Sequence, residues 1–165
     1  MGDTNVSVTN DMKVIVFRLK DEEYGVDVNQ VKSIERMQTI TRIPATLDFL
    51  KGVINSRGSI IPVIDLRTRF DIEAVADAEH TRIIIVGIGN MEIGVIVDEA
   101  NDVIDISADA IAPPPAVVGA GENEYIRGIA KVNERLLILL DMDKVVNSRE
   151  MKILQNIGAE DNGLH

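Results

Sequence analysis

The feature that most constrains the fold of this chain is an internal repeat. Residues 13–28 align without gaps on residues 82–97, and residues 49–70 align on residues 125–146. The identical pairs include Gly25 with Gly94, Gly52 with Gly128, and Asp65 with Asp141. A tandem duplication explains these matches better than the general likeness of any two β-hairpins does.

Each half of the repeat has the pattern of a small β-structure: two strands, a helical turn, a third strand, a loop and a hairpin. Hydrophobic residues make up 45% of the 165 residues but aromatic residues only 3%, so Val, Ile and Leu must form the core and favour sheet over helix. Short, evenly spaced strands indicate small closed barrels. Segments 82–86 and 135–140 are apolar on both faces, which predicts two barrels packed against each other.

Two local signals refine this prediction. Pro62 lies inside a strand-like segment, and because proline has no N–H to donate, we expect it at a sheet edge or a bulge. Asn147 followed by Glu150 resembles the capping box of a C-terminal helix. In that helix three apolar side chains would share one face: Met151, Leu154 and Ile157.

The charge and residue types argue against several kinds of partner and site. With 27 acidic and 17 basic residues the net charge is −10, which disfavours nucleic acid and anionic membranes as ligands. The chain has no Cys, so a disulfide or a zinc–thiolate site is excluded. No segment is long and apolar enough to span a membrane, and residues 1–12 do not resemble a signal peptide. We therefore expect a cytoplasmic protein.

No arrangement of side chains predicts catalysis, a metal site or a cofactor. His80 and His165 lack partners at metal-ligand or triad spacing. The serines that flank Arg57, Ser56 and Ser59, have no neighbouring His that could activate them.

Repeated acidic residues leave one catalytic alternative open. Asp65 and Asp141 could form the two-carboxylate site of a hydrolase, but we interpret each as the cap of the helical turn that follows its strand. A second acidic group has no calcium-loop spacing and is interpreted as a solvated edge: Asp98, Glu99, Asp102 and Asp105.

Two features favour a binding surface. Arg57 lies in the tight turn of residues 55–58 and could contribute to solubility, or could bind a partner, because Arg is enriched at interfaces. Val28, Val31 and Ile34 recur every three residues. Such spacing is typical of core positions, but it could also line a groove for an amphipathic helix.

The segment GVINSRGSIIPVIDL (residues 52–66) resembles the signature of the CheW family of chemotaxis coupling proteins. Supporting segments occur in the family's order: EEYGVDVNQVKSIE, TRIP, VDEANDVI and DMDKVVNSREM. The resemblance spans residues 12–157. The chain departs from the family pattern at Ser56, where Leu or Ile is usual, and at Ala100, where Val is common.

The resemblance implies a mainly β fold of two packed five-stranded β-barrels with short helical turns and a C-terminal helix. It implies one domain at residues 12–157 with interleaved barrels. These comprise residues 12–47 with 108–146, and residues 48–107, with flexible tails at 1–11 and 158–165. We interpret the proline-rich loop at residues 112–124 as a spacer.

The resemblance also implies a non-enzymatic function without cofactor or metal. The chain would be an adaptor linking the cytoplasmic tips of transmembrane chemoreceptors to the regulatory domain of the histidine kinase CheA, at receptor arrays beside the cytoplasmic membrane. An adaptor of a non-flagellar chemosensory pathway is the alternative within this class.

Site residues carried over from the family fall into three groups. The receptor-binding residues would be Ile15, Val28, Val31, Ile34, Arg57 and Val97. The kinase-binding residues would be Arg82, Gly94 and Val103. The structural residues would be Gly52, Gly58, Asp65, Gly128 and Asp141.

Overall fold

The computed structural model describes residues 11–44, 47–73, 79–114 and 125–163, and these residues are mainly β-structure. The strands are β1 (Met12–Leu19), β2 (Glu22–Asp27), β3 (Val31–Arg36), β4 (Leu50–Ser56), β5 (Ser59–Asp65), β6 (Arg82–Ile88), β7 (Met91–Val97), β8 (Glu99–Ile106), β9 (Ile111–Ala112), β10 (Ile126–Val132) and β11 (Arg135–Leu140). The α-helices are α1 (Leu66–Arg69) and α2 (Ser148–Gly163), and 3₁₀ turns lie at Val28–Gln30, Ala108–Ala110 and Met142–Lys144.

The two halves of the repeat exchange hairpins. The six-stranded sheet has the order β8-β1-β2-β11-β10-β9, and the five-stranded sheet has the order β3-β6-β7-β5-β4. Each sheet therefore contains the first hairpin of one half and the later strands of the other half, in the same order. The expected barrel boundaries are wrong at two strands, because β3 belongs to the five-stranded sheet and β8 to the six-stranded sheet.

Neither sheet closes into the expected five-stranded barrel through a continuous ladder of the described strands. Short pieces of chain cover the last edges instead. In the five-stranded sheet, Thr41 and Val53 form an isolated antiparallel bridge with two N–O distances of 2.9 Å. In the other sheet the two residues of β9 pair with β10. Thr41 lies shortly after β3 and β9 lies shortly after β8, so corresponding segments of the two halves cover these edges.

Equivalent glycines allow close approach at equivalent places. A Cβ atom on Gly52 would lie 2.1 Å from the Thr41 carbonyl oxygen, and one on Gly128 would lie 2.6 Å from that of Ala112. A β-bulge precedes both glycines. The backbone thus confirms the duplication inferred from the sequence. Both halves have a β-bulge and a glycine at the place where a short segment pairs with the sheet edge.

The apolar side chains form three clusters because the hairpin strands are covered on both faces. Alternate residues of β1 illustrate the division: Val14 and Val16 pack inside the six-stranded sheet, whereas Ile15 and Phe17 face the space between the sheets. A third cluster around Ile83 lies inside the five-stranded sheet. We call the cluster between the sheets the seam core; it includes Ile15, Phe17, Val26, Ile64, Leu66, Ile84, Val95, Val97, Leu140 and Leu154.

Aromatic rings and α2 complete the seam core. Four of the five aromatic residues stack in the sequence Phe17, Tyr24, Phe70 and Tyr125, with centroid separations of 5.6, 5.9 and 4.5 Å. Helix α2 begins with the expected capping box, in which Asn147 and Glu150 exchange two N–O hydrogen bonds of 2.8 Å. The expected apolar face also packs as predicted: Leu154 is buried, with Met151 and Ile157 half-buried against the seam core.

A buried ion network joins the two sheets. The Arg67 side chain of α1 donates to Asp65 from Nε at 2.9 Å and to Asp98 from Nη1 at 2.8 Å. Asp98 connects β7 in one sheet to β8 in the other, and it also accepts the Lys20 backbone N–H at 2.6 Å. Interpreting Asp98 as part of a solvated acidic edge was therefore wrong, because its carboxylate is only 14% exposed and holds this crossover in place.

Two further expectations differ from the structure. Pro62 was expected at a sheet edge or a bulge, but it lies in β5, which is an interior strand. Because β5 pairs with β7 only from Val63 onward, the missing N–H of Pro62 leaves no gap in the hydrogen-bond ladder. Helix α2 continues to Gly163, beyond the expected boundary at residue 157. Residues 1–10, 164–165 and most of the predicted spacer loop, 115–124, lie outside the described residues.

We expect Gly52→Ala to destabilise the protein by about 3 kcal/mol, because its Cβ would overlap the Thr41 carbonyl and its φ of 149° is unfavourable for Ala. Urea unfolding followed by circular dichroism measures the change. Gly58→Ala is the matched control, because φ is also positive there (83°) but a Cβ would meet no atom within 4 Å; a loss of about 1 kcal/mol is expected. Equal losses at both positions would contradict the close-approach explanation.

We also expect a loss of stability at high pH that depends on Tyr24. Burial raises the pKa of Tyr24 to about 12, whereas an unfolded tyrosine titrates near pH 10. Neutral Tyr24 therefore contributes stability on the order of 3 kcal/mol, which is fully present below about pH 10 and is lost as the pH rises through about 12. The variant Tyr24→Phe keeps the ring stack but has no hydroxyl group to ionise. Between about pH 10 and 12 the free energy of unfolding should therefore fall more steeply for the unmodified protein than for the variant. Parallel pH profiles of the two proteins would refute this.

Candidate binding surfaces

One candidate surface lies on β3, an edge strand of the five-stranded sheet. Val31 pairs with Val86 and Ile34 pairs with Ile84, and directly paired residues point to the same face of a sheet. Both partners belong to the seam core. Val31 is half-buried, but 42% of the Ile34 surface is exposed. The strand therefore extends the apolar seam to the surface of the protein.

Three of the six predicted receptor-binding residues lie near each other on this edge, two are buried, and Arg57 lies in the turn between β4 and β5. Val28 belongs to the 3₁₀ turn just before β3 and packs, like Val31, at the margin of the seam core. Ile15 and Val97, by contrast, are 5% and 0% exposed. Their placement in a groove is corrected: both are interior seam residues, because the seam-facing side of each hairpin is covered by the opposite sheet.

A second candidate surface lies on β8, the edge strand of the six-stranded sheet. Val103 is 50% exposed and pairs with Ile15, so it too points to the seam side. In the repeat, Val103 is the counterpart of Ile34. The molecule thus presents one exposed apolar side chain at each of two equivalent sheet edges.

The other predicted kinase-binding residues do not cluster around Val103. Gly94 is buried, and a Cβ there would lie 2.8 Å from Ile83, so this glycine serves packing within the five-stranded sheet. Arg82 is the direct cross-strand partner of Arg36 and therefore lies on the β3 edge, beside Ile34. The placement of Arg82 and Gly94 on one kinase surface with Val103 is corrected accordingly.

The turn that carries Arg57 is a two-residue hairpin connection between β4 and β5. Arg57 and Gly58 have φ angles of 55° and 83°, as a type I′ turn requires, and Gly58 donates its N–H to the Asn55 side chain at 3.2 Å. Ser56 donates its hydroxyl to Glu35 on β3 at 3.1 Å. The residue that departs from the family pattern therefore connects this turn to the β3 edge by a hydrogen bond.

The repeated aspartates have structural partners rather than a shared site. Both caps lie where the sequence predicted them: Asp65 accepts the Arg67 N–H at 2.9 Å and Asp141 accepts the Asp143 N–H at 3.1 Å. The Asp65 carboxylate is fully buried and bound by the Arg67 guanidinium, which prevents it from serving as a general base.

The described part of the chain contains no group of three or more His, Cys, Asp or Glu residues that could hold a metal ion. No helix among the described residues is long and apolar enough to cross a membrane.

An ion pair joins Glu23 and Arg135, which are far apart in the sequence, at a distance of 3.0 Å from Nε to the carboxylate oxygen. The hydrogen bond from Arg135 lowers the pKa of Glu23.

Sequence reasoning missed two surface features. Leu136 on β11 is 64% exposed, although its position inside an apolar segment predicts burial. The opposition of Arg36 and Arg82 on neighbouring strands was also missed, because no local pattern connects the two residues. When the alignment of residues 13–28 on 82–97 is continued without gaps, Arg36 falls on Asp105, so the repeat has an arginine where its other copy has an acidic residue.

Comparison with known proteins agrees with the architecture. A family model described as CheW-like domain matches residues 13–150. The chain is 39% identical over 143 residues to Chemotaxis protein CheW of Klebsiella aerogenes, covering 87% of this chain and 86% of the relative. It is 42% identical over 135 residues to Chemotaxis protein CheW of Bacillus subtilis, covering 82% and 86%. The crystal structure of scaffolding protein TtCheW from Thermoanaerobacter tengcongensis superposes with a TM-score of 0.77 at 40% identity, over 85% of this chain and 97% of that one. The chain, with its duplicated sheets and exchanged hairpins, belongs to the CheW family.

Proposed function

We propose that this protein is a non-catalytic adaptor that couples transmembrane chemoreceptors to the histidine kinase CheA in chemotaxis signalling. The observation that carries the proposal is the pair of exposed apolar residues at equivalent sheet edges, Ile34 on β3 and Val103 on β8. An adaptor has to bind two different partners at once. Two equivalent edges with different surroundings meet that requirement.

The β3 edge suits a receptor, whose cytoplasmic tip is a helical hairpin. Val28, Val31 and Ile34 offer a narrow apolar strip that an amphipathic helix can cover with residues three or four positions apart. Arg57 is assigned to the receptor surface by the family resemblance, and the Ser56–Glu35 hydrogen bond connects its turn to the other face of β3.

The β8 edge suits the regulatory domain of the kinase. The family resemblance implies that this domain has the same fold as the adaptor. Val103 supplies an exposed apolar contact on a strand whose outer edge has no partner strand among the described residues. Free sheet edges pair readily with a second β-domain. The adaptor would then work in the cytoplasm, recruited to arrays beside the membrane, where many weak contacts add up through multivalency. The same surfaces would serve a non-flagellar chemosensory pathway.

We expect Ile34→Asp and Val103→Asp to have reciprocal effects. Each introduces a charge at an exposed apolar contact, so Ile34→Asp should abolish receptor binding but keep kinase binding, and Val103→Asp should do the opposite. Pull-downs with receptor cytoplasmic fragments and with the kinase regulatory domain measure both. Because both residues are substantially exposed, thermal unfolding should change little.

The pair of variants serves as its own control, because the positions are equivalent in the repeat. If either variant lost both partners while remaining folded, the assignment of separate surfaces would be wrong. If neither variant lost a partner, the adaptor surfaces would lie elsewhere.

We expect Arg57→Asn to stabilise the protein and weaken receptor binding. A non-glycine residue at a φ of 55° costs roughly 1–2 kcal/mol, and Asn tolerates this conformation better than Arg does. The second copy of the turn has Asn133 at the equivalent position, with a φ of 50°. An increase of about 1 kcal/mol in the free energy of unfolding is expected, measured by urea unfolding.

Asn133→Arg is the matched control for Arg57→Asn. It places Arg in the same strained conformation on the other sheet, so it should destabilise the protein by a similar amount and leave receptor binding unchanged. Normal receptor binding by Arg57→Asn would remove Arg57 from the proposed surface.

A further inference from the structure

A pair of arginines interrupts the charge pattern of the repeat. Arg36 on β3 and Arg82 on β6 are directly opposite each other in an antiparallel pair. Like charges in this arrangement are destabilising. At the equivalent position of the six-stranded sheet, Asp105 on β8 lies opposite Lys13 on β1, and the two form an ion pair at 3.3 Å. One copy of the repeat therefore has a carboxylate where the other has a second cation.

Neither arginine has a carboxylate partner among the described residues. Arg82 donates from Nη1 to the backbone carbonyls of Glu79 and Thr81, at 2.9 and 3.0 Å, and Arg36 makes no ion pair there. Both line an open pocket of about 340 Å³ together with Met37, Glu79, His80 and Thr81. Two neighbouring guanidinium groups that form no ion pair with a described carboxylate are suited to bind an anion, even in a chain with a net charge of −10.

The location of Arg36 and Arg82 in the sheet indicates which kind of partner could supply the anionic group. Arg36 follows Val31 and Ile34 on the same face of β3, because all three pair with residues of β6 that share one face. Two residues along a strand span about 7 Å, which is close to the rise of about 6 Å between positions four apart in an α-helix. A helix lying along this edge could therefore place an apolar residue on Ile34 and, one turn later, an acidic residue between the arginines.

We propose that Arg36 and Arg82 form a carboxylate clamp, which accepts an Asp or Glu side chain of the receptor helix that docks on Val31 and Ile34. The clamp rests on the proposed function, since it adds a polar contact to the same receptor surface. Arginine pairs bind carboxylates through directed, charge-assisted hydrogen bonds. The clamp selects helices that carry an apolar residue followed by an acidic residue one turn away.

The decisive variant is Arg36→Asp, which copies the arrangement of Lys13 and Asp105 into the β3 edge. The new carboxylate should pair with Arg82 and raise the melting temperature of the free protein. It should also occupy the clamp, so receptor binding should fall at least roughly tenfold at low salt, with a smaller difference at high salt. Lys51→Asp is the matched control, because it makes the same charge change at an exposed position on β4 and should leave binding unchanged.

Isothermal titration with a receptor hairpin fragment from the same organism measures these effects at two salt concentrations. Replacing single acidic residues of the fragment by Lys should identify one change that restores binding to a second variant, Arg36→Glu with Arg82→Glu. Full binding and an unchanged salt dependence in Arg36→Asp, together with loss of binding in Ile34→Asp, would overturn the clamp but leave the proposed function standing. A fragment that fails to bind the unmodified protein would overturn both.

Inorganic phosphate distinguishes a protein carboxylate from a free anion. Millimolar phosphate could raise the melting temperature of the unmodified protein but not that of Arg36→Asp. If the unmodified protein and Arg36→Asp also bound the receptor fragment equally, the pocket would be a site for a free anion and the proposal would be wrong. Failure of phosphate to compete with the fragment, combined with the charge-swap rescue, supports the clamp.

Discussion

The buried network of Asp65, Arg67 and Asp98 is the interaction on which the arrangement of the two sheets depends. The Arg67 side chain is 4% exposed, and hydrogen bonding to Asp65 raises its pKa, so it stays charged in the interior. Removing one member of such a network leaves a buried charge without a partner and typically costs about 3–5 kcal/mol. The network occurs once only among the described residues: the repeat places Asp143 at the position equivalent to Arg67. One copy therefore orients the crossover between β7 and β8 for the whole molecule.

The exchange of hairpins explains why the interior is divided into three clusters. Each hairpin has one face inside its own sheet and the other face in the seam core, as Val14 and Ile15 show on β1. Both faces must be apolar, so the strands lack the alternation of a half-exposed sheet. All five aromatic residues lie in or against the seam core, where Tyr24 of β2 stacks on Phe70 at the end of α1.

The duplication supplies two equivalent edges, and the charged residues beside these edges differ. The β8 edge presents Val103 beside the neutralised pair of Lys13 and Asp105. The β3 edge presents Ile34 beside two arginines. Apolar contact is common to both edges, whereas the charges differ, and charge complementarity discriminates between partners that share an apolar contact.

The sequence by itself determined the repeat. It also determined the β class, the hairpin turn of residues 55–58, the aspartate caps and the capping box of α2, because each of these depends on residues close together in the chain. It could not determine which strands pair, since the exchanged and unexchanged hairpins bury the same side chains. The boundaries implied by the family resemblance already interleave the two halves, but they place β3 and β8 in the wrong sheets, because no local pattern fixes the pairing of these third strands. It also could not separate Ile15 and Val97 from Val31 and Ile34, because seam and surface positions on these strands are equally apolar. Only the tertiary structure, by covering one set and leaving Ile34 at an edge, decided which of them a partner can reach.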